Sequence, residues 1–219
     1  YDLDGNRRWI LLEDAVPGNL CTSPVLCGDI LVARWNRRNV GDLHIARDKL
    51  TGKERWRTLL QLIFNCGTGN AVPMRLSNGR EFLDVLATEN GCLLRCEDGA
   101  VLRDDIGLQA SGGCTAATVV DDILVFPDEH IKMAAVRLVM IDRDTVAVRP
   151  AWKPTWWSGG HSHFNTGAFS VHHNGLVYAA TICMEHGLTH PIGWQVLNVV
   201  DASNGALVRR IKPAMDSCG

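Results

Sequence analysis

Gly5-Asn6-Arg7-Arg8-Trp9 and Gly52-Lys53-Glu54-Arg55-Trp56 are one phrase written twice, 47 residues apart. The same interval leads to Gly99, in Glu97-Asp98-Gly99-Ala100-Val101-Leu102, and then to Val146, in Asp142-Arg143-Asp144-Thr145-Val146. A last copy, Asp201-Ala202-Ser203-Asn204-Gly205, follows 59 residues later, so the final unit carries an insertion of 12. A fixed period of this length marks a repeat architecture, in which each unit buries its apolar faces against its neighbours.

Each unit has the same internal order. A segment with small residues or proline comes first: Ser23-Pro24-Val25, Val72-Pro73-Met74, Ala116-Ala117-Thr118 and Ala168-Phe169-Ser170. A tight turn follows, at Gly28-Asp29, Asn78-Gly79, Asp121-Asp122 and Asn174-Gly175, of the kind that supplies the positive φ of hairpin connections. The run after it, such as Ile30-Leu31-Val32-Ala33 or Ile123-Leu124-Val125-Phe126, is apolar at nearly every position, as a strand covered on both faces must be. A third strand, an Asp-x-x-x-Gly turn and a fourth strand complete the unit. Four short antiparallel strands per unit, stacked radially, predict an all-β fold, a β-propeller of four-stranded antiparallel blades. The units fall at about 21–58, 66–104, 114–152 and 166–212, with 1–14 as the last strand of a preceding blade. The turns at Gly52, Gly99, Val146 and Gly205 should share one rim.

The phrase Ala46-x-Asp48-x-x-Thr51-Gly52-x-x-x-Trp56 resembles the tryptophan-docking motif of pyrroloquinoline-quinone-like (PQQ-like) repeats, the quinoprotein alcohol dehydrogenase-like superfamily. In such a motif Asp48 and Thr51 bond the turn backbone, Gly52 takes the left-handed position and Trp56 packs between blades. Gly5, Trp9, Gly99, Asp201 and Gly205 hold equivalent structural places in the other copies. The resemblance implies closure at seven or eight blades, so the chain is expected to be about four blades of a longer propeller. It also implies a periplasmic or secreted location. Quinone-dependent dehydrogenases of this superfamily carry a Cys-Cys dipeptide and carboxylate and amide ligands for Ca²⁺, and this sequence has no such dipeptide or recognisable ligand set. The expected function is therefore a non-catalytic ligand- or protein-binding scaffold without PQQ or Ca²⁺. The alternative is a fragment of a PQQ-dependent dehydrogenase.

Composition narrows the partners. The chain has 219 residues, 46% of them hydrophobic, 21% charged, with a net charge of −2. Its 22 Lys and Arg are scattered, which excludes a nucleic-acid footprint; Arg34, Arg37 and Arg38 form the one dense spot and read as a solvated loop. No run of about 18 apolar residues could form a membrane-spanning helix.

Eight cysteines fit no zinc or redox spacing. Cys92 and Cys96 share a strand face but stand too far apart to bond. Cys21, Cys66, Cys114 and Cys218 each precede an inner strand. They could ring one end of the channel as a thiol site, or serve as small residues where inner strands crowd. Neighbouring blades are expected to be too far apart for most disulfides.

The functional expectation rests on two long loops of the last unit. They bring Trp156, Trp157, His161, His163, His186, His190 and Trp194 to one rim, where aromatic and imidazole groups suit a carbohydrate, a protein partner or a metal. The competing reading is that these Trp-rich loops fold over and plug the channel.

Overall fold

The computed structural model describes residues 4, 6–10, 23–37, 40–61, 70–88, 91–107, 117–126, 133–153, 169–183 and 194–211. These hold sixteen strands in four antiparallel sheets of four, with no helix among the described residues. Blade 1 is β1 (Val25–Cys27), β2 (Ile30–Arg37), β3 (Gly41–Asp48) and β4 (Glu54–Leu60). Blade 2 is β5 (Val72–Ser77), β6 (Phe82–Ala87), β7 (Leu93–Arg95) and β8 (Val101–Arg103). Blade 3 is β9 (Thr118–Val120), β10 (Ile123–Phe126), β11 (Ala134–Met140) and β12 (Val146–Trp152). Blade 4 is β13 (Phe169–His173), β14 (Leu176–Cys183), β15 (Trp194–Asp201) and β16 (Leu207–Ile211). Every blade is a meander, and the first strands of successive blades adjoin.

The middle strands are buried on both faces: all four residues of β10 are buried, as are Gly41 to Ala46 of β3. The outer β4 alternates. The apolar cores accordingly lie in the seams between sheets. Ile30, Val32, Trp56, Leu86 and Leu94 pack blade 1 on blade 2. Met74, Leu83, Leu124, Leu138 and Ile106 pack blade 2 on blade 3, and Val125, Trp152, Val177 and Val200 pack blade 3 on blade 4.

Two of these seams carry the same brace, and it recurs where residues 6–10 dock on blade 1. The indole Nε1 of Trp56 donates to the Cys96 carbonyl at 2.8 Å, that of Trp152 to the Ala202 carbonyl at 2.9 Å, and that of Trp9 to the Lys49 carbonyl at 3.1 Å. Each ring lies over a glycine of the accepting turn. A Cβ there would stand 2.5 Å from the ring at Gly99, 2.5 Å at Gly205 and 2.6 Å at Gly52. The three glycines have φ of 73°, 75° and 72°, the left-handed region that glycine enters without penalty. Residues 6–10 enter no sheet ladder; Trp9 docks them on blade 1.

The seam between blades 2 and 3 is built differently. Trp56, Arg103, Trp152 and Arg209 each sit beside the β-bulge of a fourth strand, so Arg103 stands where a docking Trp would. In blade 1 one residue pair separates that bulge from the turn, Arg47 with Glu54; in blade 3 there are five, Val136 with Pro150 through Met140 with Val146. The blade 3 turn consequently lies at 141–145, closed by the Ile141 N–H donating to the Thr145 carbonyl, and Val146 is a buried residue of β12 and no part of the turn. The lengthened hairpin laps onto blade 2. Asn78 donates to the Ile141 carbonyl, Arg95 to the Arg143 carbonyl and to Asp144, and Arg143 pairs with Glu97.

Candidate functional site

Trp156, Trp157, His161, His163, His186 and His190 lie outside the described residues, as do Gly5, Cys21, Cys66, Cys114 and Cys218. Trp194 opens β15, paired with Cys183, but its side chain is also outside. The described residues therefore bear on the frame beneath the expected rim site. Among them no group of three or more His, Cys, Asp or Glu is placed to hold a metal ion.

The turn carboxylates are committed to the backbone. Asp48 Oδ1 accepts from the Leu50 and Thr51 N–H groups and the Thr51 hydroxyl, and Asp201 Oδ1 accepts from the Ser203 N–H and hydroxyl. These bonds hold both carboxyls below the ordinary Asp range. In blade 2, Arg95 takes the Asp place and binds Asp98 through two nitrogens, lowering that carboxyl's pKa as well. Asp48, Thr51, Asp201, Arg95 and Asp98, with Gly52, Gly99, Gly205 and Trp56, are thus spent on cohesion.

Two features escaped the sequence. The first is a buried polar cluster in blade 1. Arg34 is not a loop residue: it lies on β2, 4% exposed, and its Nη2 meets Asp42 Oδ2 of β3 at 2.6 Å. The β2–β3 register sets His44 directly opposite Arg34, and both Asp42 and His44 are fully buried. Burial pushes the His44 imidazole down to about 4; the Asp42 carboxylate opposes this and the Arg34 charge adds to it. The Asp42 backbone also pushes upward, but among the described residues neither ring nitrogen of His44 makes a hydrogen bond of normal geometry. The available signal was the period-2 face Ile30, Val32, Arg34, which places the arginine on the inward side of a strand.

The second is a disulfide between Cys27, at the end of β1, and Cys96, at the docking turn of blade 2. Their Cα atoms are 6.5 Å apart, so this pair is an exception to the expectation that neighbouring blades stand too far apart for most disulfides. The reason is local: Cys96 also supplies the carbonyl that receives Trp56, so the dock draws this turn onto blade 1. The bridge floors a groove lined by Asp29, Arg55, Phe82, Asp84, Glu97 and Arg143.

No protein-family model matches the chain, and no curated protein matches it in sequence. In three dimensions it is similar to the PilY1 C-terminal domain of Pseudomonas aeruginosa, with 14% identity and a TM-score of 0.53, over 93% of this chain and 55% of that one. It is also similar to BamB from Moraxella catarrhalis (14% identity, TM-score 0.42, 84% and 61% covered) and to a europium-containing methanol dehydrogenase (10%, 0.41, 86% and 50%). The chain spans about half the length of these structures. At these identities the likeness is one of fold, and the fold is the β-propeller. No helix among the described residues is long and apolar enough to cross a membrane.

Proposed function

We propose that this chain is a PQQ-like-repeat propeller region that works as a non-catalytic binding scaffold outside the cytoplasm, taking a protein or carbohydrate ligand on the rim that bears Trp156, Trp157, His161, His163, His186, His190 and Trp194. The observation that carries this reading is the threefold brace: Trp9 on Gly52, Trp56 on Gly99 and Trp152 on Gly205 repeat one donor, one acceptor position and one ring-over-glycine contact. That is the physical content of the Trp-docking phrase, and it turns the repeat into rigid blades that leave recognition to the connecting loops. The Cys27–Cys96 bridge supports the location, because disulfides persist in oxidising compartments. The chain binds neither PQQ nor Ca²⁺ in this reading.

Calorimetric titration with Ca²⁺ and PQQ, alongside a glycan array and affinity capture, tests it. The expected result is no quinone or calcium binding, and a ligand lost on Trp157→Ala and His186→Ala with the melting temperature unchanged. A quinone absorbance band that survives dialysis would transfer the chain to the dehydrogenase reading. A sharp fall in melting temperature for both variants, with no ligand for the parent, would make those loops a channel plug.

A further inference from the structure

His44 sits on a cavity whose contents its chemistry specifies. The cavity lies in the seam between blades 1 and 2, lined by Val25, Val32, Ala71 and Leu86 with Ser23, Arg34 and His44 as its polar members. The cavity has a volume of about 10 Å³. One water molecule needs about that much, so an organic ligand is excluded by size and a single small occupant is not. His44 is wholly buried and lines this space with an imidazole neither of whose ring nitrogens has a hydrogen-bond partner among the described residues. A buried polar group without a partner is costly, which is the driving force for taking one up.

Charge then selects the occupant. The Arg34 guanidinium is balanced by Asp42 at 2.6 Å, and a neutral imidazole adds nothing, so the site has no net charge to hold an ion. A neutral species that both donates and accepts suits the imidazole, which presents one N–H and one lone pair. We propose that this cavity is a binding site for one internal water molecule, held by a ring nitrogen of His44 and by the polar groups of Arg34 and Ser23 that line the same space. Such a water completes three hydrogen-bonding partners, the usual number for a buried one. It sits where blade 2 contributes Ala71 and Leu86, so it belongs to the joint between two blades and not to one sheet.

Two measurements on the full chain decide the matter. Nuclear Overhauser spectroscopy at neutral pH should show a cross-peak between the His44 ring protons and a long-lived water; its absence overturns the proposal. The substitution Ala71→Val fills the cavity from blade 2. If a water is displaced, His44 loses its partner and the melting temperature falls, together with loss of the cross-peak. A rise in melting temperature would show a dry cavity that gains from filling, and would overturn the proposal, as would binding that appears only with added chloride.

Discussion

Gly99→Ala should be among the most damaging single-methyl additions to this protein, and its cost divides into parts. The φ of +73° must be held by a residue with a Cβ, which costs roughly 1–2 kcal/mol. The new methyl would stand 2.5 Å from Trp56 Cε3 and 2.6 Å from Thr58 Oγ1, far inside van der Waals contact. Relief requires the ring to move, and overpacking of this kind costs about 1–3 kcal/mol. Movement also endangers the buried bond from Trp56 Nε1 to Cys96, worth about 1 kcal/mol. The total is about 3–6 kcal/mol, the ring's share of it no larger than the cost of losing the docked ring altogether. Gly79 and Gly107 are the controls: their φ values are +85° and +72°, but nothing lies within 4 Å of an added Cβ, so alanine there should cost the backbone part alone. Urea unfolding at constant m-value measures all three. In a Trp56→Ala, Thr58→Ala background, which removes both close neighbours, Gly99→Ala should fall to the control value. If Gly99→Ala costs no more than Gly79→Ala in the intact protein, the ring-over-glycine brace is not what closes the seam.

The remaining predictions concern charge and the disulfide. Because the His44 pKa is about 4 when folded and near 6.5 when unfolded, the unfolded chain takes up the proton first as pH falls. Stability from this group is therefore full above pH 6.5, declines through to pH 4 and changes no further below, by roughly 3 kcal/mol in all; urea midpoints across that range should show the slope, and His44→Leu should remove it. Reducing the Cys27–Cys96 bridge, or replacing both residues with Ser, should cost up to about 4 kcal/mol given the 69-residue separation, read as a lower melting temperature under reductant. Asp144→Asn should cost under about 1 kcal/mol, and less in high salt, because Asp144 is mostly exposed despite its bond to Arg95; a loss that salt leaves unchanged would point to packing instead.

What the sequence disclosed was what repeats. The Asp-x-x-x-Gly phrase, the Asn-Gly and Gly-Asp turns and the doubly apolar second strands are local signals with local causes, and they placed four antiparallel blades without reference to any partner. The blade 3 turn was misplaced because two changes are confounded in the interval of 47: a lost glycine and a hairpin lengthened beyond its bulge. Arg34 was read as solvated because its neighbours Arg37 and Arg38 suggested a loop, although its place on the Ile30–Val32 face of β2 faces inward. The disulfide depends on two turns meeting across a seam, and no spacing between positions 27 and 96 encodes that. Of the rim residues expected to bind ligand, all but Trp194, which opens β15, lie outside the described residues.

The docking glycines carry a further consequence. A glycine at 99 or 205 is required by a tryptophan on the fourth strand of the preceding blade, and Gly52 by Trp9 of residues 6–10, so the constraint on one turn is written in the segment that docks on it. Where Arg103 replaces the ring, the next turn, at 141–145, has no glycine, and the extended hairpin with its Arg95, Glu97, Arg143 and Asp144 contacts closes the seam in its place. Arg103 itself turns back to the Asp105 carbonyl and takes no part in the closure. If Trp and Gly act only as a couple, Arg103→Trp alone should gain nothing: the indole would meet a turn with no flat site for its ring, at a seam already filled by Ile106, Leu138 and Met140. The expected outcome is a stability, read from urea unfolding, that is unchanged or lowered by up to about 1–3 kcal/mol of overpacking. A stabilised Arg103→Trp variant would mean that the ring finds its seam without the glycine, and that the three native glycines answer to turn geometry alone.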